Sequence, residues 1–200
     1  MQARDLVHHG LAIKRHAAPA TVASLVGLPE DQVAAILADA KAKGRAIETQ
    51  GAYALTPLAR LALEGKYSLF FADARDDAGF HAAYERFEVI NRSLKQLITD
   101  WQTIQVGGEA LPNDHRDEAY DRKIIDRLGA LHEQIEPVLK TLALRVPRLV
   151  IYLDKLLVAL EKSEDGEIAW VSDVHRESYH TVWFELHEDL LRIMGRIREE

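Results

Sequence analysis

Between residues 80 and 101, apolar side chains return every three or four positions: Phe80, Tyr84, Phe87, Leu94, Ile98 and Trp101, with Asn91 in the same row. That spacing lays them along one side of a single long helix and leaves the charged residues on the other. Downstream, Asp121, Ile124, Leu128, Leu131 or His132, Ile135, Leu139 and Leu142 form a second stripe. Leu149, Tyr152 or Leu153, Leu156 and Leu160 form a third. A fourth runs through "SYHTVWFELHEDLLRIMG", where Glu177, His180, Phe184, His187, Leu191 and Met194 share a direction. A helix with one apolar stripe must bury it against a neighbour, and short connections favour antiparallel packing. Residues 78–200 are therefore expected to form an antiparallel four-helix bundle. "TIQVGGEALPND", with its glycine pair and proline, reads as the loop between the first two helices. Pro137 reads as a kink inside the second, and Pro147 as the start of the third.

The first third has a different character. "RDLVHHGLAIKRH" and "TVASLVG" are short amphipathic helices, the second ended by Gly27. "PEDQVAAILADAKAKG" is a third, with Pro29 and acids at its start, Gly44 at its end and Val33, Ile36, Leu37 and Ala40 as its buried stripe. Two β-prone runs then flank Gln50-Gly51, the signature of a tight hairpin. Another helix opens at Thr56-Pro57. The boundaries expected are a domain over 1–66, a linker over 67–77 and the helical domain over 78–200.

In the order of its elements, and in the "L-T-P-x-x-R" that follows the hairpin, residues 21–60 resemble the winged helix-turn-helix domain of MarR-type regulators. A generic three-helix cap is the plainer alternative. The resemblance implies DNA binding, for which Lys41, Lys43 and Arg45 are the nearest cations. Against it, Glu30 and Asp31 open the helix that would read base edges, and the hairpin tip carries no Lys or Arg. Winged helices also dock proteins, so the fold does not choose between the two uses. Over nearly its whole length the chain also resembles a helical family found in actinobacteria behind such a winged helix, on the stretches "YERFEVIN", "TDWQ", "NDHRDEAYD" and "SYHTVWFELHEDLL". That likeness implies a regulator. It equally implies an accessory or substrate-binding subunit, as in systems built around phosphoenolpyruvate-synthase-like phosphotransferases.

The helical stripes contain polar residues that a plain core would not. At ~1.5 Å of rise per residue, Asn91, His132, Tyr152, His180 and His187 fall at one level of the expected bundle. Trp183 lies beside the two histidines and Trp101 at the end of its helix. A polar group buried without a partner costs roughly 1–3 kcal/mol. These residues are thus either a mutually satisfied network or the lining of a small-molecule pocket, with Gln102, Asp114, His115 and Asp121 as its rim. Asp114, Asp117 and Asp121 also suit plain helix capping. No cofactor is expected, although Glu177, His180 and His187 could hold a single divalent metal, since "ESYH" has the Glu-x-x-His spacing of helical-bundle metal sites.

Composition narrows the rest. A chain without cysteine has no thiolate chemistry, disulfides or Cys-ligated zinc. The formal net charge of −7 opposes non-specific nucleic-acid binding as a main task. No apolar run is long enough for a membrane span and no signal-peptide pattern opens the chain, so a cytoplasmic location is expected. No phosphate loop, dinucleotide fingerprint, nucleophile elbow or zinc-protease motif is present. The expected partners are a small ligand, a second copy or another protein, and DNA.

Overall fold

The computed structural model describes residues 1–197, the side chain of Val106 excepted. The fold is mainly helical and divides into two compact units, Met1–Asp76 with His187–Glu200, and Asp77–Leu186. Among the described residues no single helix is long and apolar enough to cross a membrane.

The first unit begins with α1 (Ala3–Lys14), α2 (Pro19–Val26) and α3 (Glu30–Ala42). Pro19 sits in the first turn of α2, where its missing N–H has no partner to lose, and Gly27 ends that helix at φ 69°. α1 and α2 approach so closely at Gly10 that a Cβ there would stand 2.5 Å from Val26 Cγ1. The chain then forms β1 (Ala46–Thr49) and β2 (Ala52–Leu55), antiparallel in the register Ala46 to Leu55. Their turn has positive φ at both Gln50 (53°) and Gly51 (80°), the requirement of a two-residue hairpin that matches strand twist. Ala17, between α1 and α2, pairs with Tyr53 through two backbone hydrogen bonds of 3.0 and 2.8 Å. α4 (Pro57–Glu64) follows, then the short turns α5 (Tyr67–Phe70) and α6 (Ala72–Arg75).

The second unit is built on α7 (Ala78–Gln102) and α8 (Glu118–Ala143), which pack on each other. A 3-10 turn at Pro147–Leu149 leads into α9 (Val150–Glu164), which packs on α8, and α10 (Ala169–Ser172) packs on α9. α11 (Tyr179–Met194) closes the chain, its residues as far as Leu186 belonging to this unit and the remainder to the first. Every residue expected in the stripes of α7 and α8 is buried, including Asn91, Asp121 and His132. α8 runs through Pro137 as one helix of 26 residues.

Three expectations need correction. Residues 103–112 are not an irregular loop but a hairpin, β3 (Thr103–Val106) and β4 (Glu109–Pro112), because Gly107 and Gly108 supply the two positive φ values that its turn demands. Residues 67–77 are not a linker: Tyr67, Phe71 and Ala74 are buried and belong to the first unit, as do the last residues of α11. The third correction is the phase of α11. Its most deeply buried face is Tyr179, Val182, Trp183, Leu186, Leu190 and Ile193, about one residue, or roughly 100°, round from the expected one, although Leu191 and Met194 of the expected stripe are buried as well. Phe184 is 38% exposed and His180 is half-buried, while His187 is buried.

Candidate functional site

The clearest gathering of polar groups in the second unit lies where α7, the β3–β4 hairpin and the start of α8 meet. Asp121, one turn into α8, is 4% exposed, and two groups serve its carboxylate. Asn113 Nδ2 donates to Oδ1 at 2.9 Å, and His115 Nδ1 lies 2.9 Å from Oδ2. An ionised carboxylate only accepts, so His115 carries its proton on Nδ1 in this pairing. Nε2 is then the nitrogen left for another partner, and no described residue hydrogen-bonds to it. Such an imidazole can accept a hydrogen bond or a proton from a ligand, with Asp121 holding the ring's orientation.

His115 is held there against its backbone preference. Its φ is 57°, in the left-handed region that costs a non-glycine residue about 1–2 kcal/mol. Asn113 enforces it: the side-chain Oδ1 accepts from His115 N at 3.1 Å, and Nδ2 donates to Trp101 O at 3.0 Å. The Trp101 ring closes the other side, its centroid 4.5 Å from the imidazole. Tyr120 adds a clamp, its hydroxyl donating to Asp100 O at 2.8 Å. His115 and Asp121 line an open cleft of ≈ 720 Å³, with Glu118 and Arg122 from α8, buried Ser163 from α9, and Ile168. Strained, over-determined residues beside a cleft are characteristic of binding and catalytic sites.

The other rim residues fall differently. Gln102 and Asp114 are exposed, and Asp114 pairs locally with Arg116 at 3.3 Å. Asp117 is the cap of α8, accepting from Tyr120 N at 3.0 Å, whereas Asp121 holds His115. Asn113 was not singled out from the sequence, although its place two residues before His115 is the signal of an Asx turn.

Deeper in this unit, the polar residues of the helical stripes meet one another. Trp183 Nε1 donates to Asn91 Oδ1 at 2.9 Å, and Asn91 Nδ2 donates to Glu88 Oε2 at 3.3 Å. Tyr84 OH donates to Glu88 Oε1 at 2.6 Å. Phe87 stacks on Trp183 at 5.2 Å, and Tyr179 stacks beyond it at 6.1 Å. His132 Nδ1 lies 3.2 Å from Tyr179 OH. Burial pushes the Tyr179 phenol above its ordinary range and pushes His132 below its own, so the pair stays neutral near pH 7. Tyr152 is fully buried, and His187 falls in the first unit with the end of α11. Partnered polar atoms between stacked rings suit a structural network.

For a metal, the described residues gather no group of three His, Asp or Glu side chains. Glu177, expected as a ligand, instead accepts from Lys155 at 2.5 Å. In the first unit Lys41 pairs with Glu48 at 2.6 Å and Lys43 with Asp39 at 2.7 Å, leaving Arg45 as the half-exposed cation of that trio. Comparison with protein-family models, with curated proteins and with solved structures found no match to this chain.

Proposed function

We propose that this chain is a ligand-responsive, regulator-like protein: a winged helix followed by an antiparallel four-helix bundle with a small-molecule site at its loop end. The observation that carries the ligand part is the Asp121–His115 pair, with its Nε2 available beside the cleft. Such a site suits a small polar ligand that donates to an imidazole and covers Ile125 and Ile168. The winged-helix part is supported by three helices followed by a hairpin, and by the bridge that brings Ala17 to the hairpin as a third strand position. A thermal-shift screen of small polar metabolites, repeated on His115→Ala, tests the first part. Ligands that stabilise both proteins equally would sink it. Electrophoretic shifts with the DNA flanking its gene, taken across salt, test the second, and no binding at low salt would remove the DNA-binding role.

A second reading, an accessory subunit whose winged helix docks on protein, is favoured by surface chemistry in the first unit. Glu30, Asp31 and Gln32 are exposed at the start of α3, and the hairpin tip from Glu48 to Gly51 has no cation. Leu58 and Leu61 of α4 are exposed at 77% and 66%. Acid at the reading end of α3 repels phosphate, while exposed leucines suit a protein surface.

A further inference from the structure

The first unit holds a cleft of ≈ 340 Å³ lined by the start of α1, the turn from α3 into β1, and α4. Its charge is opposite to the chain's. Arg4, Lys43, Arg45 and Lys66 line it with one carboxylate, Asp5; counting also Asp39, which pairs with Lys43 at 2.7 Å, the local balance is +2 (four cations, two acids) in a chain of net charge −7. Asp5 is already engaged, 3.1 Å from Lys66 and 3.7 Å from Arg4. The Arg45 guanidinium makes no hydrogen bond or ion pair with a described residue.

His8 lines the same cleft and is 6% exposed, and its buried Nε2 has no hydrogen-bond partner among the described residues. Buried polar atoms are almost always satisfied, so one that is not, beside clustered cations, marks a place a ligand completes. Burial lowers the pKa of His8, and Arg4, Arg45 and Lys66 lower it further against the opposing effect of Asp5. A neutral imidazole there offers one N–H to an anion. The remaining wall is apolar: Leu58, Ala59, Ala62 and Leu63 of α4.

We propose that this cleft binds a small organic phosphate, a phosphate monoester carried on an apolar body. The positive balance matches a dianion better than a carboxylate. Guanidinium forks and ammonium groups suit the oxygens of a phosphoryl group, and the α4 wall takes the rest of the molecule. The volume lies at the small end of ligand pockets, which suits a metabolite rather than a nucleic-acid strand. This site lies in a different unit from His115 and shares no residue with that cleft, so the two stand or fall separately.

The test is calorimetric titration of the full chain with phenyl phosphate, alongside inorganic phosphate, benzoate, benzyl alcohol and a short DNA duplex. Phenyl phosphate is expected to bind saturably, more tightly than inorganic phosphate or benzoate, and benzyl alcohol not at all. Arg45→Gln, at a half-exposed position that leaves the core untouched, is expected to weaken binding about tenfold or more, the loss of a charge-assisted hydrogen bond. Amide shifts in the titrated protein should gather at His8, Gly44 and Arg45. Absence of saturable binding at millimolar phenyl phosphate would overturn the proposal, as would equal affinity in Arg45→Gln. Tighter binding of benzoate would overturn the choice of phosphate. Duplex binding that depends on Arg45 and is not displaced by phenyl phosphate would make nucleic-acid backbone the occupant instead, and the proposal would fall.

Discussion

His9 and Asp189 lie 180 positions apart in the chain, yet His9 Nε2 and Asp189 Oδ1 stand 2.9 Å apart with both side chains fully buried. The other ring nitrogen, Nδ1, is 2.9 Å from Tyr67 OH, and the His9 ring meets Tyr67 edge-on at 5.4 Å. With the carboxylate as acceptor, Nε2–H is the donor, and in the neutral ring Nδ1 receives the tyrosine hydroxyl. One imidazole thus ties α1 to α5 and to the end of α11 inside the first unit.

Removing one member of this group strands the others in the interior. Asp189→Ala is expected to destabilise the fold by about 3–5 kcal/mol, measured by urea unfolding. A well-packed double replacement, His9→Leu with Asp189→Leu, should cost less than the single change. If Asp189→Ala unfolds at the same urea concentration as the parent, the buried pairing is wrong.

The close crossing of α1 and α2 gives a steric expectation. Gly10→Ala places a methyl 2.5 Å from Val26 Cγ1, and overpacking of this kind costs about 1–3 kcal/mol. Val26→Ala in the same chain should recover part of that loss. A Gly10→Ala protein that melts above the parent would mean the helices are further apart than described.

The strain at His115 separates two substitutions that both delete the imidazole. Both lose the partner of Asp121, but only alanine keeps the steric cost of φ 57°. His115→Gly should therefore be more stable than His115→Ala by about 1 kcal/mol, the usual left-handed penalty. Thermal melts of the two variants side by side decide it, and the reverse order would place residue 115 in ordinary backbone.

Burial lowers the pKa of His132, with Glu136 opposing, and lowers that of His8 as well. The unfolded chain then binds more protons than the folded one below the ordinary histidine value of 6.5. The stability these residues contribute is full above 6.5 and is lost as pH falls from there through their folded values. Asp77, whose carboxyl is lowered chiefly by the Phe80 N–H and also by Arg145, acts below its own ordinary 3.8, outside that window. Urea midpoints should fall from about pH 7 to about pH 5, and His132→Gln should flatten the slope. A slope identical in that variant would remove His132 from the account.

Much of this fold is legible in local pattern. The stripes of α7 and α8 are buried residue for residue, and Gln50-Gly51 makes the turn its dipeptide demands. Both follow from the period of one element or the φ preference of one residue, which the chain carries locally. α11 is different because apolar residues nearly surround it. Phe184, Leu191 and Met194 define one face; Tyr179, Val182, Trp183, Leu186 and Ile193 define another, and periodicity alone cannot rank them. Packing buried the whole second face and, of the first, Leu191 and Met194 but not Phe184, and the same helix serves one unit with its first half and the other with its second. The Gly107-Gly108 hairpin was hidden because its strands are short and β4 is exposed along its whole length, so no burial alternation marks β4. Asp121 looks like a cap in sequence and becomes the anchor of His115 only when the β3–β4 hairpin returns Asn113 to the end of α7. His9 and Asp189 carry no local sign of each other. Their pairing is worth something only after the intervening chain has folded and excluded water, and that is a property of the tertiary structure alone.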